Sequence, residues 1–146
     1  MKDITIKYIR IEDKLLEQNT ILRYKILFEP YHKINKYTYD SLDSISYHLA
    51  TFYENKIVGY SRLTNIDGKG KITNVFVISE YRKRNIGHKM LIKHIEKAKQ
   101  EKFSQLYLNA RISTVNFYKK VGFVKEGTSY ISDKSGLMLQ NMVMYL

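Results

Sequence analysis

The order of elements in this sequence predicts an α/β fold, a mixed six- to seven-stranded sheet with helices on both faces. Three observations carry that expectation. The short β-branched run Val75-Phe76-Val77-Ile78 reads as a strand buried on both faces, and a helical pattern follows it at Ile86, Met90, Leu91, Ile95 and Ala98. Residues 45–53 and 57–66 alternate across Glu54-Asn55-Lys56 and read as an antiparallel hairpin. Two more strand-like segments, 124–131 and 139–146, close the chain around the loop Ser132-Asp133-Lys134-Ser135-Gly136.

Each element has its own reason. Residues 3–11 alternate through Ile4, Ile6 and Tyr8, which predicts a first strand. Glu12 and Asp13 suit the positive end of a helix running to about Phe28, with Leu16, Leu22, Ile26 and Leu27 among its apolar residues. Pro30, the only proline, disfavours helical backbone at Glu29. Residues 31–44 are polar and aromatic with no period, and are expected to form an irregular arm or short helix on the substrate side. Asp67-Gly68-Lys69-Gly70 marks a turn into the strand that ends at Ile78. A helix over 87–100 comes next, with Lys89, Lys93, Lys97 and Lys99 off its apolar face. Residues 105–110 form a strand with Leu106, Leu108 and Ala110 on one face. Ser113 is placed to cap a short helix that Gly122 ends after Val121. The order is β-α-(α)-β-β-β-α-β-α-β-β.

The 146 residues are expected to form one domain over 1–146. No apolar run approaches the roughly 20 residues of a membrane helix, and residues 1–10 alternate rather than form a secretory core. Without cysteine there are no disulfides and no thiolate chemistry, which makes the cytoplasm the expected compartment. Four scattered histidines predict no metal site. The net charge of +11 fits a polyanionic cofactor, an acidic substrate or nucleic acid, but the lysines are spread along the whole chain.

The most informative stretch joins the 75–78 strand to its helix: Arg82, Lys83, Arg84, Asn85, Gly87 and His88. Cations are the wrong charges for a helix start, whose free N–H groups are already partly positive. A bound phosphate would resolve that conflict; so would plain solvation of a basic loop. Asn85 tolerates left-handed backbone and Gly87 permits close approach of a ligand. The spacing is neither a Walker loop nor a dinucleotide fingerprint.

Val75-x-Val77 followed by Arg82-x-x-Asn85-x-Gly87 resembles the acetyl-CoA signature of the GNAT N-acetyltransferases, (Q/R)xxGx(G/A), with Asn85 in place of its first glycine. Leu108-Asn109-Ala110-Arg111, then Asn116-Phe117-Tyr118 and Gly122-Phe123, resembles the second motif of that family, which ends in (F/Y)YxxxGF. His48-Leu49 and Arg62-Leu63 are also common in one of its branches. The resemblance extends over nearly the whole chain from Tyr47 onward and is loose before it.

The resemblance implies a GNAT fold and acetyl transfer from acetyl-CoA, as co-substrate, to an amine by direct attack. It implies cofactor contacts at Val75, Val77, Arg82, Lys83, Arg84, Asn85, Gly87, His88, Arg111 and Asn116. It also implies Tyr118 as the general acid that protonates the departing thiolate, a role open to a phenol of ordinary pKa about 10. A packed tyrosine with a satisfied hydroxyl is the plainer alternative. Arg111 stands where the family carries Asn or Gln; it contacts the cofactor, a substrate carboxylate or a surface acid.

No base is legible: the strand before the cradle has no carboxylate, Asn74 could hold a water, and Glu29, His32, Asp40 and His48 are alternatives. The acceptor is expected to be a small-molecule or peptide amine. No specific nucleic acid or membrane partner is expected, and the chain is expected to be a monomer or homodimer. The rival readings are a catalytically silent acyl-CoA-binding module and a basic nucleic-acid binder.

Overall fold

The structure, a computed structural model, describes residues 3–31 and 41–146. Its strands are β1 (Thr5–Ile9), β2 (Ser46–Tyr53), β3 (Lys56–Ile66), β4 (Lys69–Val77), β5 (Gln105–Arg111), β6 (Val124–Lys125), β7 (Tyr130–Ile131) and β8 (Met138–Tyr145). The helices are α1 (Lys14–Arg23), α2 (Ile86–Gln100) and α3 (Val115–Val121). The strands form one mixed sheet in the order β1-β2-β3-β4-β5-β8-β6, with β7 also paired to β8. Only β4 and β5 run parallel.

The β2–β3 and β3–β4 connections are two-residue turns. Glu54 and Asn55 have φ of 49° and 64°, and Asp67 and Gly68 have φ of 51° and 83°. Left-handed backbone at both central positions matches the twist of the flanking strands, so these turns set the register of three strands at once.

Helices cover both faces. On one, Leu16 of α1 packs with Ala50, Phe52, Ile57, Tyr60 and Phe76. On the other, α2 places Ile86 and Met90 against Leu49, and Leu91 and Ala98 against Leu63, Leu106 and Leu108. α3 joins the second core through Val115 and Tyr118.

Several expectations are corrected. The 75–78 run is not buried on both faces: Phe76 is buried under the α1 layer, but Val75, Val77 and Ile78 are half-buried beside the start of α2. Glu29 is helical (φ −54°, ψ −43°) despite Pro30, because its N–H is held by the Tyr24 carbonyl at the end of a π turn over Tyr24–Phe28. That hydrogen bond outweighs the steric preference of a residue before proline. Ser113 caps nothing. The N-cap of α3 is Thr114, without a side-chain cap, and its hydroxyl donates instead to the Arg111 carbonyl at 2.7 Å. The segment 124–131 is divided into β6 and β7, which brings the strand count to eight. Between them Gly127 is left-handed (φ 71°), and the Gln140 amide nitrogen donates to the Glu126 and Gly127 carbonyls. Of the arm expected over 31–44, residues 32–40 lie outside the described residues; a short 3-10 turn at Asp43–Ile45 ends it.

Candidate active site

β4 and β5 touch only at their beginnings. Gly70 pairs with Leu106 and Lys71 with Tyr107; beyond these neither strand has a partner in the other. Gly70 makes the contact possible, since a Cβ there would stand 2.7 Å from Leu106 Cδ2 and 2.8 Å from Phe103 Cδ2. The stretch of β4 without a partner in β5 contains a bulge. Tyr60 pairs with Phe76 but Arg62 with Thr73, so Asn74 and Val75 together oppose Ser61, and Asn74 is left-handed (φ 56°). A bulge bends its strand, and this one lies where β4 no longer pairs with β5. The result is a seam flanked by β4 on one side and β5 on the other.

The cradle lies past the end of β4. Lys83 and Asn85 are both left-handed (φ 65° and 60°), and Asn85 is the N-cap of α2 with no side-chain cap. The first helical bond runs from the Lys89 N–H to the Asn85 carbonyl, so the N–H groups of Ile86, Gly87 and His88 have no acceptor within the helix. No acid stands in the first turn. Lys83, Asn85 and His88 are exposed. Arg82 and Arg84 are turned partly to the protein: Arg82 Nε donates to the Val77 carbonyl at 3.0 Å, and the Arg84 guanidinium lies 5.3 Å from the Tyr81 ring centroid. A helix start with free N–H groups, flanking cations and no acid is suited to an anion. The first turn of α2 therefore fits the diphosphate of acetyl-CoA.

Gly87 also stands close to α3. A Cβ there would lie 3.1 Å from Phe117 Cζ, so the glycine makes room for a ring of α3. The next residue, Tyr118, belongs to the core cluster that includes Leu91 of α2 and Leu106 and Leu108 of β5. Tyr118 is 7% exposed, edge-on to Phe117 and Phe123 at centroid distances of 5.1 and 5.9 Å. Among the described residues its hydroxyl has no hydrogen-bond partner. Burial pushes its pKa up to about 12, and the positive charge of Arg111 opposes that rise. Arg111 ends β5 half-buried, and Asn116 is exposed on α3. Val75 and Val77 pack on Ile86 and Met90. The expected site residues thus lie on the β4 and β5 strands and at the two helix starts.

The base alternatives fare less well. His32 and Asp40 lie outside the described residues, and Glu29 is exposed on a 3-10 turn. His48 is 1% exposed; its Nε2 meets the Asp43 carbonyl at 2.8 Å and its Nδ1 the Tyr60 hydroxyl at 2.6 Å. A carbonyl only accepts, so Nε2 carries the proton and Nδ1 accepts from Tyr60. Burial lowers the His48 pKa, and the ring is a neutral structural member of the core.

Two buried networks went unread in the sequence. Asp43 Oδ1 accepts from Arg23 Nη2 and Arg62 Nη1, each at 3.0 Å, and Arg62 Nε donates to Thr73 Oγ1 at 2.9 Å beside the β4 bulge. His94, wholly buried, meets the Tyr8 hydroxyl at 2.9 Å and Ser61 Oγ at 2.8 Å. Arg62 in the middle of an apolar strand was the available signal, since a charged residue there requires a partner. A groove of about 480 Å³ between β1 and α2, lined by Ile4, Ile6, Lys89, Ile92, Lys93 and Glu96, includes neither Tyr118 nor any residue of the cradle.

Among the described residues no helix is long and apolar enough to cross a membrane, and no cluster of metal-ligating side chains occurs. Compared with known proteins, residues 22–146 match the model of an acetyltransferase (GNAT) domain. The N-acetyltransferase YjcF of Bacillus subtilis, itself uncharacterised, is 34% identical over 58% of this chain and 60% of its own. Escherichia coli ElaA superimposes with a TM-score of 0.75 at 21% identity, covering 97% of this chain and 99% of its own. A GNAT acetyltransferase from Elizabethkingia anophelis, crystallised with acetyl-CoA bound, superimposes with a TM-score of 0.75 at 18% identity over 100% of both chains. At these identities the two structures establish the fold.

Proposed function

This chain belongs to the GNAT acetyltransferase family, and we propose that it moves the acetyl group of acetyl-CoA onto an amine by direct attack, with Tyr118 as general acid. The partnerless stretches of β4 and β5, with the acid-free start of α2 following β4, are the observation that carries this reading, and Tyr118 lies in the core that β5 and α2 share. Acetyl-CoA supplies an acyl group activated as a thioester.

The free N–H groups of Ile86, Gly87 and His88, with Lys83, Arg82 and Arg84 around them, hold the diphosphate, and the divergent stretches of β4 and β5 flank the pantetheine arm. The amine nitrogen bonds to the acyl carbon as the carbon–sulfur bond breaks. The proton lost by the amine goes to water, since no described residue stands as base. Tyr118 gives its phenolic proton to the sulfur and regains one from solvent afterwards. The Arg111 charge stabilises the brief phenolate and keeps the phenol from becoming too weak an acid. The absence of cysteine agrees with direct transfer.

The test has two arms. Acetyl-CoA should raise the melting temperature, and desulfo-CoA should do so as well, as ligands of the native state must. Single-turnover assays with a panel of small and peptide amines should then show amine-dependent release of CoA. Stabilisation by RNA but not by CoA refutes the cradle; CoA binding without transfer to any amine leaves a silent acyl-CoA-binding module.

A further inference from the structure

β1 lies at one end of the sheet. Each of its residues from Thr5 to Ile9 pairs with β2, and among the described residues it has no strand neighbour on its other side. A hollow lies on each of its faces. The groove of about 480 Å³ on the α2 face is lined by the apolar Ile4, Ile6 and Ile92 and the charged Lys89, Lys93 and Glu96. A second hollow of about 180 Å³ lies on the α1 face beside Lys7 and Phe52, and Thr5 borders both. Ile92 is 38% exposed and stands outside the cores that hold the other apolar residues of α2.

A strand in this position is a template. Alternate residues of an edge strand turn their N–H and C=O groups outward, where an extended chain can pair with them. Successive side chains of that chain point to opposite faces, so one set enters each hollow. β1 lacks the usual guards against such addition. It has no proline, and its pairing with β2 has no bulge. Its one lysine, Lys7, is folded back so that Nζ lies 5.3 Å from the Phe52 ring centroid. The strand is also fixed in place, since the Tyr8 hydroxyl meets His94 Nδ1 at 2.9 Å, and an edge already ordered costs little to bind.

The two hollows ask for different side chains. On the α2 face, Lys89 and Lys93 stand against the single acid Glu96, and with the three isoleucines they suit aliphatic residues and carboxylates. On the α1 face, Asp3 and Glu54 stand against Lys7 in a smaller space, which suits short uncharged residues. The net charge of +11 draws an acidic partner to the molecule as a whole.

We propose that the free edge of β1 is a docking site for an extended segment of another protein. The segment joins the sheet as a further strand and presents aliphatic and acidic side chains to the α2 face. β4 is three strands from β1, roughly 14 Å at ordinary strand spacing, so the bound segment leaves the seam open. The site stands independently of the acetyl-transfer reading.

The probe is a set of N-acetylated peptides about eight residues long, enough to span β1 with a margin at each end. Serine or threonine occupies alternate positions, and aspartate, valine or isoleucine the others. Having no amine, these peptides cannot serve as acetyl acceptors. Titrated into the isotope-labelled full chain, they should shift the amide signals of Thr5–Ile9 and slow hydrogen exchange at alternate residues there. Signals of Tyr118 and of the cradle should not move. Arginine in place of aspartate should weaken binding roughly fivefold or more, the scale of exposed ion pairs turned into repulsions. Raised salt should loosen the acidic peptides. Lys93→Glu should reverse the preference in favour of the arginine peptides. Ile92→Glu should weaken the acidic ones, and Ile131→Glu, at an exposed position on β7, should change nothing. Circular dichroism checks that each variant is folded. The inference is overturned if no peptide of the set shifts β1 at about 1 mM, the weak limit of specific binding. It is overturned as well if acidic and arginine peptides bind alike, or if the shifts fall on the seam. Protection of β1 that needs no peptide and grows with protein concentration assigns the edge to a second copy, and overturns it too.

Discussion

Replacing Tyr118 with phenylalanine separates chemistry from packing at the proposed acid. The ring contacts with Phe117 and Phe123, worth about 0.5–1.5 kcal/mol each, are kept by phenylalanine. The hydroxyl has no partner among the described residues, so its loss orphans no described group, and stability should change by less than about 1 kcal/mol. The chemical step should slow by roughly 10²–10⁴-fold, which at 1.36 kcal/mol per tenfold is about 2.7–5.4 kcal/mol of barrier. Affinity for acetyl-CoA should change by much less than tenfold, because the proton is given only as the thiolate forms.

The pH dependence adds a second constraint. A pKa raised from 10.0 to about 12 means that the neutral phenol is the favoured form. Its contribution to stability is whole below pH 10 and is lost as pH rises through about 12. No falling limb in the rate below pH 10 should therefore belong to Tyr118, and the variant should keep the native profile's shape at a lower level. Single-turnover transfer, calorimetry with CoA and denaturant unfolding together measure all of this. A variant within about threefold of the native rate refutes the assignment, and so does a rate loss matched by an equal loss of CoA affinity.

Other outcomes follow from the same geometry. His88→Glu puts an anion in the first turn of α2, so stability should hold or rise by about 0.3–1 kcal/mol while CoA affinity falls at least tenfold; calorimetry and thermal melts read the two effects separately. Gly70→Ala drives a methyl group into Leu106 and Phe103 at the one place where β4 meets β5, and should cost about 1–3 kcal/mol in urea unfolding. His94, wholly buried, has its pKa lowered from 6.5 to about 3, so its stabilising effect is complete above pH 6.5 and drains away as pH falls toward 3. Between pH 6.5 and 5 that loss is about 2 kcal/mol at 1.36 kcal/mol per unit, and His94→Gln should flatten the slope in denaturant titrations.

What was legible in the sequence was local. The strand before the cradle, the left-handed Asn85, the start of α2 and the two hairpins are each written within about a dozen neighbouring residues, where period and turn chemistry act. The motif carrying Tyr118 is local as well. What escaped notice depends on partners far apart in the chain. Asp43 meets Arg23 and Arg62 from 20 and 19 residues away, and Tyr8 meets His94 from 86 residues away. Gly87 was legible as a close-approach position, but that the approach is made by Phe117, 30 residues on, is a fact of tertiary packing. The break in 124–131 turns on Gln140, which reaches back from the last strand to bond its carbonyls. Arg62 was the missed opportunity, a guanidinium in an apolar strand whose need for a carboxylate could have been inferred before its partner was known.

The two pairs that join β4 to β5 leave the sheet as two halves held by little backbone pairing. The first half is four antiparallel strands, three of them tied by tight turns; the second is built on β5 and β8, and among the strands only Gly70 and Lys71 pair across the halves. One more backbone bond, from the Ser104 N–H to the Gly68 carbonyl at 3.0 Å, lies at the same end; α2 packs side chains against both halves, and such contacts yield to small displacements more readily than a ladder of backbone bonds. Local opening is least expensive where few hydrogen bonds must be broken. In this protein that place is the seam between β4 and β5, where the proposed reaction is set. Whatever fills the cleft acts as a mortar joint: it ties together two pieces that the chain itself leaves almost unconnected, and the rigidity of the whole comes to depend on how much of it is present.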